Sequence, residues 1–86
     1  MKKITMFMFE GCPHCRKALA LIDELKAAHP EYADVPFEMI DEKKDPATAE
    51  KYDYYYVPTF YVDGEKIHEG SASAQDVEKV FQTARA

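Results

Sequence analysis

The chain has 86 residues, 47% of them hydrophobic and 31% charged, with three glycines and a net charge of −5. Domains run to ~100 to 200 residues, so residues 1–86 are expected to form a single domain with a small core, and the composition is neither disordered nor fibrous. The acidic balance, with no Lys/Arg cluster longer than a pair (Lys2-Lys3, Arg16-Lys17, Lys43-Lys44), argues against a nucleic-acid partner.

At the N-terminus, the apolar run Ile4 to Phe9 is too short for a signal peptide and meets Glu10 with no small-residue cleavage site. No stretch approaches the roughly 18 apolar residues of a membrane span. The expectation is a cytoplasmic chain without a membrane partner, and a monomer.

Ile4-Thr5-Met6-Phe7-Met8-Phe9 is nearly continuously apolar, the pattern of a strand buried on both faces at the centre of a parallel sheet. Gly11 breaks it. From Cys12, apolar residues recur at Cys15, Ala18, Leu19, Ile22, Leu25 and Ala28, a helical period that ends by His29-Pro30. Pro13 suits the first helical turn, where its missing N–H is no loss, so Cys12 falls at the N-cap.

Pro36 to Asp41 reads as a second strand, parallel to the first because a helix crosses between them. Asp45-Pro46 announces a further helix running through Ala49 and Tyr52. Thr59 to Val62, Asp63-Gly64 and Glu65 to Glu69 form a hairpin around a type I′ turn. Ser73 with Asp76 is a capping box, and Val77, Val80, Phe81 and Ala84 are the apolar stripe of a closing helix. The element order is β-α-β-α-β-β-α, with no linker or repeat.

The two cysteines, in FEGCPHCRK, need a chemical reason, because a bridge across so short a loop constrains the unfolded chain little. Free N–H groups and the macrodipole at a helix N-terminus stabilise an anion, so Cys12, at an exposed cap, is the expected nucleophile. Cys15, one turn in and facing the core, is placed to resolve the mixed disulfide that Cys12 forms. No cofactor is needed for this exchange.

The rival reading is metal, since a lone C-x-x-C is also half of a zinc or soft-metal site. Against it, no second pair exists, His14, His29 and His68 are irregularly spaced, and Pro13 stiffens the loop. A redox-sensing module without turnover would use the same residues.

Cys12-Pro13-His14-Cys15 after a short strand, followed downstream by Val57-Pro58-Thr59-Phe60 and Asp63-Gly64, resembles the thioredoxin/glutaredoxin superfamily across essentially the whole chain. The resemblance implies a thioredoxin fold, a four-stranded mixed sheet flanked by three helices, in a dithiol–disulfide oxidoreductase. It implies catalytic Cys12 and Cys15, redox tuning by Pro13 and His14, and substrate binding by Val57, Pro58 and Thr59. The proline matching Pro58 is cis in the family and stands beside the cysteines, with Val57 offering its backbone to substrate. The partners implied are disulfide-containing proteins and an electron donor, glutathione or a thioredoxin-reductase-type flavoprotein.

Several positions depart from the family pattern. Phe9 stands where glutaredoxins carry Lys, and Gly70 to Ala74 lacks their Gly-Gly and acidic signature, so both features that grip glutathione are missing. The thioredoxin Trp is absent, and Met6 takes the place of its buried Asp. Tyr52, Tyr54, Tyr55 and Tyr56 crowd before Val57-Pro58; packing at a helix end is expected of them ahead of a substrate groove.

Overall fold

The computed structural model describes all residues 1–86. Four strands form one mixed sheet: β1 (Ile4–Met8), β2 (Phe37–Asp41), β3 (Thr59–Val62) and β4 (Glu65–Glu69), in the order β2-β1-β3-β4. The helices are α1 (Pro13–Ala28), α2 (Pro46–Ala49) and α3 (Ala74–Arg85). This is the four-stranded, three-helix thioredoxin fold, in the element order read from the sequence. No helix is long and apolar enough to cross a membrane.

β1 is central and buried on both faces, as its apolar run requires, but only one of its neighbours is parallel. It pairs parallel with β2, from Ile4↔Phe37 to Met8↔Asp41, and antiparallel with β3, from Ile4↔Val62 to Phe7↔Thr59. The crossover through α1 sets the first pairing; the β3–β4 hairpin, added from the far side, reverses the second.

The pleat divides the side chains between two layers. Ile4, Met6, Phe60 and Val62 face α1 and α3, where Ala18, Ile22, Val77, Val80, Phe81 and Ala84 complete the main core. Phe7, Ile40 and Tyr61 face the other way, under Ala49, Tyr52 and Tyr54. Burying a side chain such as Phe81 contributes roughly 1.5–3 kcal/mol, and its ring also packs on Tyr32 and Phe37.

Local signals act where they were read. Asp63 (φ 48°) and Gly64 (φ 85°) both take the positive φ of a type I′ turn. The Ser73 hydroxyl accepts from the Asp76 N–H while the Asp76 carboxylate accepts from the Ser73 N–H, closing the capping box.

Two elements differ from expectation. α2 stops at Ala49 instead of reaching Tyr52, because Lys51 N–H→Thr48 O and Tyr52 N–H→Ala49 O are tight i→i+3 bonds that close the helix. Tyr52 then turns onto Phe7 and Tyr61. A 3-10 helix at Pro30–Asp34, absent from the sequence reading, follows α1 and buries Tyr32.

Candidate active site

The end of β1 leads into the cysteine pair through a turn that needs glycine: Gly11 has φ 88°. The Cys12 N–H donates to Phe9 O at 3.2 Å, and Pro13 occupies the first position of α1. Cys12 is the N-cap, and its Sγ accepts from the Cys15 N–H at 3.3 Å. The sulfur therefore takes the capping role usually filled by Ser or Asp oxygen. The same N–H that caps the helix thereby fixes the Cys12 sulfur at its head.

That bond also corrects an expectation. Cys12 was expected to be exposed, yet it is 4% accessible against 1% for Cys15. Folding its side chain back over the first turn to reach the Cys15 N–H removes it from solvent. Burial pushes the Cys15 thiol up to about 12, reinforced by a hydrogen bond with Cys12 and by the charges of Cys12 and Glu42, and opposed by a bond to the Phe9 backbone. His14, between the two sulfurs in sequence, is exposed on the helix surface. Both thiols are free, and no group of three or more His, Cys, Asp or Glu side chains is arranged to hold a metal ion.

Register brings the second motif to the same place. Phe7 pairs with Thr59 at the last rung between β1 and β3, so Val57 and Pro58 continue alongside Met8 and Phe9. Val57 packs against the core cluster that contains both cysteines, and the Val57–Pro58 peptide is cis, the isomer that the resemblance implies. Pro58 O accepts from the Gly70 N–H at 2.8 Å, and the buried Thr59 hydroxyl donates to Tyr56 O. By contrast, neither the N–H nor the carbonyl of Val57 has a hydrogen-bond partner within the chain.

Two organising residues escaped the sequence reading. Glu69 accepts from the N–H groups of Tyr55 (2.6 Å) and Tyr56 (3.0 Å) and pairs with Lys66 at 2.8 Å, which holds its carboxyl down to about 2. It fixes the stretch leading into Val57. Asp41 accepts from the backbone N–H groups of Glu10, Lys43 and Lys44, tying the loop before Cys12 to the turn after β2. Its bond to the N–H two residues on is the Asx-turn signal that Asp41-Glu42-Lys43 carried. The same turn lays Lys43 over the Phe9 ring, 4.1 Å from its centroid, so a cation from elsewhere in the chain stands near the position where glutaredoxins have Lys.

The family model described as a thioredoxin domain matches residues 2–82. The chain belongs to the thioredoxin superfamily. Among solved structures it is similar to reduced Schistosoma mansoni thioredoxin pre-protein (TM-score 0.71, 28% identity, 95% of this chain and 77% of that one). It is likewise similar to oxidised mitochondrial thioredoxin 3 of Saccharomyces cerevisiae (TM-score 0.72, 26% identity, 95% and 77%). Oxidised thioredoxin from Plasmodium falciparum shares the fold at 20% identity (TM-score 0.73, 99% and 82%). No curated protein matches the chain in sequence. A thioredoxin fold holding two cysteines together at a helix N-terminus supports thiol–disulfide oxidoreductase chemistry in general.

Proposed function

We propose that this protein is a dithiol–disulfide oxidoreductase acting on polypeptide disulfides, with Cys12 as nucleophile and Cys15 as resolving thiol. The observation that carries this reading is the Cys12 sulfur accepting the Cys15 N–H at the N-cap of α1. The Cys12 thiolate attacks one sulfur of a substrate disulfide; a Cys12–substrate bond forms as the substrate S–S bond breaks, and the leaving thiolate takes a proton from solvent.

Cys15 stays a thiol during this step. Once Cys12 is in a mixed disulfide its negative charge is gone, and with it two of the influences that hold the Cys15 proton, the hydrogen bond and the charge. Cys15 then loses its proton and attacks the Cys12 sulfur, releasing the second substrate thiol and leaving a Cys12–Cys15 disulfide. The chain has given two electrons, and the reverse sequence would oxidise a dithiol.

The free N–H and carbonyl of Val57 support docking of an extended substrate strand by backbone hydrogen bonds, beside Pro58 and Thr59. Pro13 and His14 adjust the potential from within the first turn. A thioredoxin-reductase-type flavoprotein is our choice of electron donor over glutathione, on the absence of the glutaredoxin signature at Gly70 to Ala74; rapid turnover in a glutathione-coupled assay would overturn it. We assign the activity to the cytoplasm, because the only two cysteines form the pair and none is left as a structural staple. Recovery of the chain in an exported fraction would remove that assignment.

The deciding experiment is capture. Cys15→Ser should accumulate mixed disulfides with polypeptide substrates through Cys12, whereas Cys12→Ser should accumulate none. Capture by Cys12→Ser through Cys15 would reverse the roles, and capture by neither would remove the oxidoreductase reading.

A further inference from the structure

The tyrosine run before Val57 divides in two. Tyr52 and Tyr54 pack on Phe7, with ring centroids 4.7 and 4.9 Å away. Tyr55 and Tyr56 are 85% and 70% exposed. Packing at a helix end, expected of the whole run, therefore accounts for half of it.

Tyr52, Tyr54 and Tyr55, with Ala49, Glu42 and Glu50, line an open cleft of about 320 Å³. Its only charged lining residues are the two carboxylates. The nearby lysines are turned elsewhere, Lys43 onto the Phe9 ring and Lys44 onto Glu10 at 3.0 Å. Lys51, next to Glu50 in sequence, does not line the cleft. Glu42 is held by the Tyr54 hydroxyl, which donates to it at 2.8 Å. Glu50 is exposed, and its carboxylate makes no hydrogen bond or ion pair within the chain, only its backbone N–H being bonded, to Pro46 O at 2.9 Å.

Aromatic faces beside an unpaired carboxylate are the chemistry that recognises a guanidinium or ammonium. The ring quadrupoles attract the cation, and the carboxylate accepts its N–H groups. We propose that this cleft receives an arginine or lysine side chain of the polypeptide whose disulfide is exchanged at Cys12, so that the protein selects substrates with a basic residue near the reacting cysteine. The proposal rests on the oxidoreductase reading given above and names its substrate class.

Distance along the chain supports the link. Tyr55 lines the cleft and lies two residues before Val57, so its Cα is at most ~7 Å from that of the residue whose unpaired backbone receives the substrate strand. An extended strand advances ~3.3 Å per residue, which puts a side chain two to four residues from the one opposite Val57 within reach. The wall is also fixed, because Glu69 accepts from the Tyr55 N–H at 2.6 Å. A basic side chain arriving there meets a prepared surface.

The test uses the reduced protein and three disulfides: two peptides identical except for Arg or Glu within three residues of the cysteine, and a small neutral disulfide. The basic peptide should be exchanged with a kcat/KM about tenfold above the acidic one, a ratio that shrinks in high salt. Glu50→Gln should lower that ratio about threefold. Glu24→Gln, which removes the same charge from the exposed surface of α1, should leave it nearly as it was.

Turnover of the neutral disulfide with equal rates for the two peptides, or faster exchange of the acidic one, overturns the proposal and leaves the oxidoreductase reading intact. Equal loss in Glu24→Gln and Glu50→Gln overturns it too, because the preference would then be long-range steering by an acidic protein and not the cleft. Failure of all three disulfides removes the oxidoreductase reading and this proposal with it.

Discussion

Two stretches meet at the end of β1, and they are opposites. Cys12–Cys15 is folded inward: both sulfurs are almost inaccessible, and the Cys12 N–H, carbonyl and sulfur each have a partner inside the chain. Tyr55–Val57 faces outward: two tyrosines are exposed and the last residue leaves both backbone groups unpaired. The contrast separates two tasks. A thiol kept from water is protected and poised electrostatically, whereas a recognition surface works only if its polar groups are left for another molecule. Changes in the first stretch should therefore alter chemistry and proton binding, and changes in the second should alter the choice and affinity of substrate.

The largest effect expected on stability comes from the buried side of this contrast. The Cys15 thiol is raised from its ordinary 9.0 to about 12, so the folded, reduced protein prefers it protonated. Its contribution to stability is fully present below about pH 9 and is lost as pH rises from there towards 12, because the unfolded chain releases the proton first. The slope is at most about 1.4 kcal/mol per pH unit. Urea unfolding of the reduced protein at stepped alkaline pH, compared with Cys15→Ser, should show the difference between the two chains narrowing or reversing across that window. Parallel curves would mean that Cys15 is not held as a thiol by the fold.

On the outward side the expected effect is smaller and of a different kind. Glu69→Ala frees the Tyr55 and Tyr56 N–H groups from the carboxylate that fixes them. KM for a polypeptide disulfide should rise about three- to tenfold while kcat is largely kept, since losing a positioned surface weakens binding by about 1 kcal/mol, the net worth of one ordinary hydrogen bond. A matching fall in kcat would show that Glu69 supports the cysteines themselves. The depressed carboxyl adds a pH condition: from an ordinary 4.5 it is held down to about 2, so the clamp persists through mild acid and is lost only as pH falls through about 2.

The inward stretch was largely legible in the sequence and the outward one was not, for a physical reason. Gly11, Pro13 and the apolar period from Cys15 to Ala28 act on their nearest neighbours, as do Asp63-Gly64 and the Ser73–Asp76 box, so their effects can be read locally. The burial of Cys12 was misjudged because the position of a cap does not reveal where its side chain turns. Glu69 acts on residues 13 and 14 positions away, and nothing around it in sequence marks the partnership. Nor could the run of tyrosines show which two meet Phe7. That division depends on where α2 stops and on the pairing of β1 with β3, both of them non-local outcomes.

The smallest effect concerns the tuning proposed for His14, which stands exposed in the first turn of α1 two residues after Cys12, where an imidazolium would favour the thiolate. Favouring the thiolate stabilises the dithiol relative to the disulfide, which makes the protein more oxidising. His14 is exposed, and exposed charges are strongly screened, so its reach is modest. For a two-electron couple ~30 mV corresponds to ~1.4 kcal/mol, and His14→Gly should lower the potential by less than that, about 15 mV. A charge acting from an exposed position is screened by salt, so the difference between parent and variant should be greatest at low ionic strength and shrink as salt is added. Equilibration of both chains in a glutathione redox buffer at stepped salt concentrations measures it directly. Equal potentials at every ionic strength would assign the whole bias of the couple to the N-cap geometry of Cys12, and a difference that persists in high salt would point to backbone freedom introduced by glycine in place of charge.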